Sequence, residues 1–341
     1  MTQFRNGIVI GCGSIGKKHA QYLGKICNEL IVVDPIFKNI LNVNKASNVN
    51  SYTYPSIDDV KINFNAEDVA VVSNWGPDHF KTVKEITAKG IRKIVLEKPC
   101  VDSLEEIDQL RNFALKNQLQ ISVNQGWFYE DLAQKILNTS TEMNLGKVVA
   151  IWITGGARCL STAGSHWVSL VNQIYESDPI YLVSDASNHL INPRSPNLSY
   201  VDGVFSFMYS ENRRLGINLS NFSSIEGRFE IYWRDAIGEL NSENLKIFAR
   251  SKNMKSDKIT LYGQASEPIF HENIIDIDNR FKNLYSSFEK LDASQFPSIL
   301  DQHLNVNKAI LLSLIASEQK RKINFTEKIE EDFYCKKYGI S

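Results

Sequence analysis

The stretch Gly7-Ile8-Val9-Ile10-Gly11-Cys12-Gly13-Ser14-Ile15-Gly16 decides the fold. Ile8-Val9-Ile10 reads as a buried strand, and the residues after Gly16 put Ala20, Leu23 and Cys27 at helical spacing. Between them lies G-x-G-x-x-G. Alone, such a motif marks only a glycine-rich turn. After a strand and at the opening of a helix, it is the fingerprint of a dinucleotide-binding unit. Gly11 and Gly13 permit a tight turn and close backbone approach to a pyrophosphate, and Gly16 lets helix and sheet pack closely. The amides around Ser14 and Ile15, at the helix N-terminus, face the phosphate charge.

Outward from this turn, β-rich runs alternate with amphipathic helices. Leu30–Val33, Val69–Val72, Ile94–Leu96 and Ile121–Val123 are apolar strands. A helix carries Phe80, Val83 and Ile86 on one face and stops at Gly90. Another opens with a Ser103/Glu106 capping box and buries Leu104, Ile107, Leu110 and Ala114. Strands without polar alternation, separated by helices, predict a parallel sheet covered on both faces. Asp34 ends the second strand, where a carboxylate accepts hydrogen bonds from an adenosine ribose and repels a 2′-phosphate. That favours NAD over NADP, with the nearby Lys38 keeping NADP open and a plain turn aspartate before Pro35 as the competing reading.

Beyond residue 124 the texture changes. Val149–Ile153, Phe205–Tyr209, Leu215–Leu219 and Phe229–Trp233 are long strands parted by polar turns such as Ser210-Glu211-Asn212. They predict an open, mostly antiparallel sheet. Helices interrupt it near Trp167–Tyr175, Arg280–Leu291 and Val306–Ser317, and Asn192–Pro196 reads as a loop. The expected organisation is an α/β chain, with a Rossmann domain over 1–123 and a substrate-binding and oligomerisation domain over 124–341.

Bulk composition narrows the function classes. The 341 residues carry 38 basic and 39 acidic side chains, a net charge of −1, which provides no global field for nucleic acid or an anionic membrane. The apolar run Ala309–Ala316 falls far short of the ~20 residues of a membrane span. Cys12, Cys27, Cys100, Cys159 and Cys335 show neither CxxC pairing nor zinc-like spacing, so reduced thiols, no metal and a cytoplasmic location are expected.

Glu97-Lys98-Pro99 follows the strand Ile94–Leu96, at the strand end where open α/β sheets bind ligands. Pro99 keeps Lys98 out of helical geometry. A lysine there polarises a substrate oxygen, and the bland alternative is a surface turn. His166 precedes a helix whose Val168, Val171 and Ile174 face a core. An imidazole there suits proton transfer from an alcohol, with helix capping or core packing as the alternative.

Gly11–Gly16 with His19, Asn74-Trp75-Gly76-Pro77-Asp78-His79 and Glu97-Lys98-Pro99 together resemble the glucose–fructose oxidoreductase, inositol dehydrogenase and rhizopine catabolism (Gfo/Idh/MocA) family. Gly155-Gly156 followed by Gly164-Ser165-His166, the strands from Asp202 to Leu240 and the helix ending Ala316-Ser317-Glu318 extend the likeness. The resemblance implies a Rossmann domain followed by an α/β domain whose sheet makes a homodimer or homotetramer. It implies Lys98 as the active-site lysine, His166 beside the substrate, and Asn74, Trp75, His79 and Glu97 along the cofactor. Thr162 and Ser169 stand where the family commonly has aspartates, Asn74-Trp75 replaces a threonine-proline pair, and Asn124-Gln125-Gly126-Trp127 lacks a frequent arginine. Trp75, Trp127 and Tyr129 are candidate pocket walls, and Thr162 a candidate substrate contact.

The leading expectation is NAD-dependent hydride transfer at a carbinol carbon of a sugar, sugar derivative, nucleotide sugar or cyclitol. Lys98 would polarise the oxygen and His166 act as acid/base. An NAD-dependent glycoside hydrolase and a catalytically silent NAD-binding protein compete with it.

Overall fold

The structure is a computed structural model that describes residues 3–36, 50–156, 158–187, 201–220, 222–225, 227–241, 244–249, 268–273 and 277–340. Lys38 and the Asn192–Pro196 segment lie outside the described residues.

Six parallel strands form the first sheet: β1 (Phe4–Ile10), β2 (Cys27–Val33), β3 (Asn50–Tyr54), β4 (Val69–Val72), β5 (Lys93–Leu96) and β6 (Gln120–Val123), in the order β3-β2-β1-β4-β5-β6. The order reverses direction between β1 and β4, which opens a crevice at the carboxyl ends of those two strands. Among the described residues helices α1 (Ser14–Leu23), α2 (His79–Ala88) and α3 (Leu104–Lys116) connect β1 to β2, β4 to β5 and β5 to β6, and Val9, Val71, Ile94 and Val95 between the helical layers are fully buried. Ser103 caps α3 by accepting the Glu106 amide, as its capping box predicts.

Cys27 departs from its expected place. The helical spacing put it on α1, but the helix stops at Leu23 and Cys27 opens β2, paired with Phe4. Gly24 ends the helix, and the apolar run that follows completes its strand ladder with β1 rather than another turn. The edge strand β3, Asn50-Ser51-Tyr52-Thr53-Tyr54, carries no apolar pattern and escapes sequence reading.

The second sheet has nine strands: β7 (Val148–Gly155), β8 (Tyr181–Ala186), β9 (Gly203–Met208), β10 (Arg214–Leu219), β11 (Arg228–Trp233), β12 (Ala236–Leu240), β13 (Asn244–Ala249), β14 (Pro268–Asn273) and β15 (Ile323–Asn324). All its pairings are antiparallel except β7 with β10. Alternation buries Ile151, Ile153, Phe205 and Phe207 on one face and exposes Trp152, Val204 and Ile237 on the other.

Helices α4 (Leu132–Glu142), α5 (Ser165–Tyr175), α6 (Ile277–Lys290) and α7 (Phe296–Gln319) complete the core, with the short α8 (Glu331–Tyr334) near the end. α7 is longer than the expected Val306–Ser317. Its extra N-terminal turns include Pro297, tolerated there because the first turn lacks amide acceptors anyway. It packs on α3 and β6 on one side and on α5 and β8 on the other, so one apolar helix ties the two sheets together. No helix among the described residues is long and apolar enough to cross a membrane.

Candidate active site

The glycine turn is held open by its own backbone. Gly11 sits at φ +85°, and a Cβ there would lie 2.5 Å from the Asn74 amide nitrogen. At Gly16 a Cβ would come within 1.9 Å of the Gly11 carbonyl oxygen, the close helix–strand approach anticipated for it. Among the described residues nothing lies within 4 Å of a Cβ at Gly13, and no side chain caps α1. The first amides of the helix, at Ser14 and Ile15, therefore face open space. An orphaned buried acceptor, Asn74 Oδ1, borders the same turn. An open helix N-terminus beside a glycine cradle fits a pyrophosphate, and the residues present fit a dinucleotide.

Asp34 is buried just past β2. Its Oδ2 accepts the Cys12 amide at 2.6 Å and its Oδ1 the Ile36 amide at 2.8 Å. The carboxylate thus braces the glycine turn with bonds the sequence did not reveal. Trp75, half exposed, leads into the short 3-10 turn Gly76–Asp78. His79 is buried between two loops, its Nδ1 2.8 Å from the Pro99 carbonyl oxygen and its Nε2 3.2 Å from the Asn74 carbonyl oxygen, and the neutral ring donates to one of the two. Burial pushes its pKa down, against those carbonyls.

The Glu97-Lys98-Pro99 turn, whose Lys98–Pro99 peptide is cis, is gripped on every side. Glu97 Oε1 takes His19 Nε2 at 2.8 Å and Asn124 Nδ2 at 2.6 Å. Burial alone would raise this carboxyl, but the His19 and Asn124 bonds and the Lys98 charge outweigh it and hold it at about 2. His19 Nδ1 in turn meets the Tyr285 hydroxyl at 2.7 Å. From α7, Asn307 Oδ1 accepts the Cys100 amide at 2.7 Å, and its Nδ2 donates to the Val101 carbonyl at 3.2 Å. Lys98 therefore leaves a turn whose flanks are fixed before any ligand arrives.

Across the crevice a π-helical turn, Leu160–Gly164, runs straight into α5, so His166 sits one residue inside the helix. Such turns recur at functional positions. Its Nδ1 is buried without a partner among the described residues. Burial, then the charges of Lys98 and Arg280, push its pKa down to about 3 against the opposing Glu97. The imidazole is thus neutral at physiological pH and near enough to Lys98 to feel its charge. Thr162 Oγ1 donates to the Cys159 carbonyl at 3.3 Å, and Ser169 Oγ is buried without a partner among the described residues. Trp127 lies edge-on to Phe229, packed against the core. Tyr129 bonds His303 through its hydroxyl at 3.2 Å.

Sequence reasoning missed Arg280, Asn307 and Tyr285. All three come from helices far along the chain, and no local motif marks them. Among the described residues no cluster of His, Cys, Asp or Glu stands ready to hold a metal.

Residues 5–125 match the model of an oxidoreductase family described as having an NAD-binding Rossmann fold, the Gfo/Idh/MocA family. No curated protein sequence matches the chain. Three solved structures share its fold nearly end to end. An oxidoreductase from Thermotoga maritima is 14% identical with a TM-score of 0.71, covering 95% of this chain and 99% of its own. UDP-N-acetylglucosamine 3-dehydrogenase from Acidithiobacillus ferrooxidans is 16% identical, TM-score 0.67, covering 94% and 99%. An oxidoreductase from Agrobacterium radiobacter, solved with NAD+, L-tartaric acid and magnesium, is 14% identical, TM-score 0.66, covering 95% and 99%. At these identities the likeness is one of fold.

Proposed function

From a chain whose residues 5–125 match the NAD-binding Rossmann fold of the Gfo/Idh/MocA oxidoreductases, we propose an NAD-dependent dehydrogenase or reductase of a carbinol carbon in a sugar, sugar derivative, nucleotide sugar or cyclitol. What supports this reading is that Lys98, just past the carboxyl end of β5, is close enough for its charge to lower the pKa of His166, while the open glycine turn follows β1 at the same end of the sheet. Bound NAD supplies the hydride acceptor or donor. The amides of Gly13, Ser14 and Ile15 would hold the pyrophosphate, and Asn74 Oδ1 would offer the cofactor an acceptor. Asp34, already bonded to two amides, has lone pairs left for the ribose and disfavours a 2′-phosphate. Lys98 donates a hydrogen bond to the reacting oxygen and stabilises charge that develops there. His166 takes the hydroxyl proton, for which a neutral imidazole is the required form. His79 and Glu97 act one step removed, by fixing the turns that carry these groups.

We further propose a cytoplasmic location, since the scattered cysteines follow no pairing motif, and self-association through the exposed face of the second sheet. A silent NAD-binding protein is the second reading, favoured by the absence of a carboxylate at Thr162 and Ser169. NADH formation across a panel of sugars, cyclitols and nucleotide sugars separates the two. Lys98→Ala is expected to cut turnover by at least ~100-fold while NAD affinity stays unchanged. Unaltered turnover removes Lys98 from the chemistry. Glycoside release without net NADH marks a hydrolase instead.

A further inference from the structure

We propose that the substrate carries a carboxylate close to its reacting carbinol, and that Arg280 selects it. This rests on the function proposed above and names the substrate class of the same site.

Arg280 comes from the first turn of α6 and reaches the crevice through space that Gly126 leaves free. A Cβ at Gly126 would stand 2.9 Å from Arg280 Nη1, 3.1 Å from its Cδ and 3.5 Å from His166 Nδ1. The guanidinium and the imidazole thus flank one point, and any side chain at 126 would displace one of them. Gly126 lies just after β6, the strand that pairs with β5, which ends before Lys98. Arg280 brings a guanidinium to that place from elsewhere in the chain.

Its bonding is incomplete. Arg280 Nε is buried without a partner among the described residues, as is His166 Nδ1. A guanidinium keeps its proton, so a sealed N–H on it is a standing cost that an acceptor on a ligand removes. The ring of Phe281 lies 5.2 Å from the guanidinium carbon and steadies it, and the same ring meets His19 edge-on at 4.9 Å. The fork is therefore anchored.

Charge points the same way. Lys98 and Arg280 both press on His166, and the carboxylate that opposes them, Glu97, is committed to His19 and Asn124. A neutral sugar would bring no charge opposite to that of Arg280. A carboxylate matches one planar fork with two parallel bonds. It would also raise the proton affinity of His166, so substrate binding itself makes the resting imidazole a better base.

The experiment uses the full chain loaded with NAD. Binding of gluconate and glucuronate, of glucose and myo-inositol, and of glucose 6-phosphate is measured by calorimetry and thermal shift, alongside NADH formation. The wild type should bind at least one sugar acid ~10-fold or more tightly than its neutral counterpart. Arg280→Gln should erase that preference and raise KM for the acid ~10- to 100-fold, with NAD affinity intact. Arg280→Lys, which keeps the charge and loses the fork, should recover part of it. Equal binding of acids and neutral sugars, no binding of any acid, or preference for the phosphosugar overturns the proposal. Acid binding that depends on Arg280 without NADH formation would leave carboxylate recognition standing and count against the redox reading.

Discussion

The two walls of the crevice are finished to different degrees. On the first-sheet wall Asp34 is committed to two amides, Glu97 to His19 and Asn124, and His79 to a loop carbonyl. The atoms left over there are amide acceptors, Asn74 Oδ1 and Asn124 Oδ1. On the α5–α6 wall the leftovers among the described residues are His166 Nδ1, Arg280 Nε and Ser169 Oγ, with the charge of Arg280 beside the ring. A wall that binds the same cofactor in every turnover can be built rigid in advance. The wall that meets the substrate keeps its polar groups open, and what they lack describes what they receive.

The largest effect should come from disturbing the rigid wall. In Gly16→Ala the new Cβ would stand 1.9 Å from the Gly11 carbonyl, a backbone atom that cannot step aside. NAD affinity should fall ~100-fold or more, the size of a severe overpacking penalty, or the chain should fail to fold. Gly13→Ala meets no protein atom within 4 Å and should melt like the wild type while binding NAD more weakly. Calorimetry and melting curves on both variants check this. Normal NAD binding by Gly16→Ala would erase the contrast between the walls.

That contrast also explains what was legible in the sequence. The rigid wall is built from backbone, and backbone demands leave local traces: glycines at fixed spacing, a carboxylate ending β2, a proline after Lys98. The parallel sheet and the mostly antiparallel sheet were readable for the same reason, from apolar runs and alternation. Strand β3 was not, because an exposed edge of Asn, Ser, Thr and Tyr needs no apolar pattern. Arg280 and Asn307 were illegible because their roles depend on where α6 and α7 land. A lone arginine on an amphipathic helix looks like any solvated residue until Gly126 is seen to make room for it.

A middle-sized effect is expected in acid. His79, His166 and His303 are all held below the ordinary 6.5 of histidine, chiefly by burial, the last two at about 3. The unfolded chain then binds more protons than the fold, so their contribution is full above pH 6.5 and is lost as pH falls below it. Each buried histidine costs up to ~1.4 kcal/mol per pH unit in that window. Glu97, at about 2 against 4.5, adds a loss only below 4.5. Asp102 opposes both, because burial raises it from 3.8 to about 6 and it favours the fold as pH drops through that range. Denaturant midpoints between pH 6.5 and 4.5 should therefore decline, and His303→Gln should flatten the slope. A carboxylate ligand should flatten it further by favouring protonated His166. A flat profile in the wild type would show that these rings are not sealed.

The smallest effect on chemistry should come from the far face of the second sheet. There Trp152 lies across Gly216, where a Cβ would meet its ring at 2.1 Å, and Val183, Val204 and Ile237 share its exposure. Aromatic rings fixed flat on a sheet are the usual anchors of subunit contacts, and a cluster of apolar groups without cover favours burial against a like surface. Neither wall of the crevice reaches this face, since the buried alternation of β7, β9 and β10 separates them. Trp152→Glu combined with Ile237→Glu should shift sedimentation from oligomer toward monomer, weakening association ~10-fold or more. Turnover per chain should stay within about twofold, as for surface changes away from a site. A wild type that is already monomeric, or a double variant that sediments like it, would remove this face as a subunit contact. A monomer that loses turnover would mean that the substrate wall, unlike the cofactor wall, depends on a neighbouring chain for its shape.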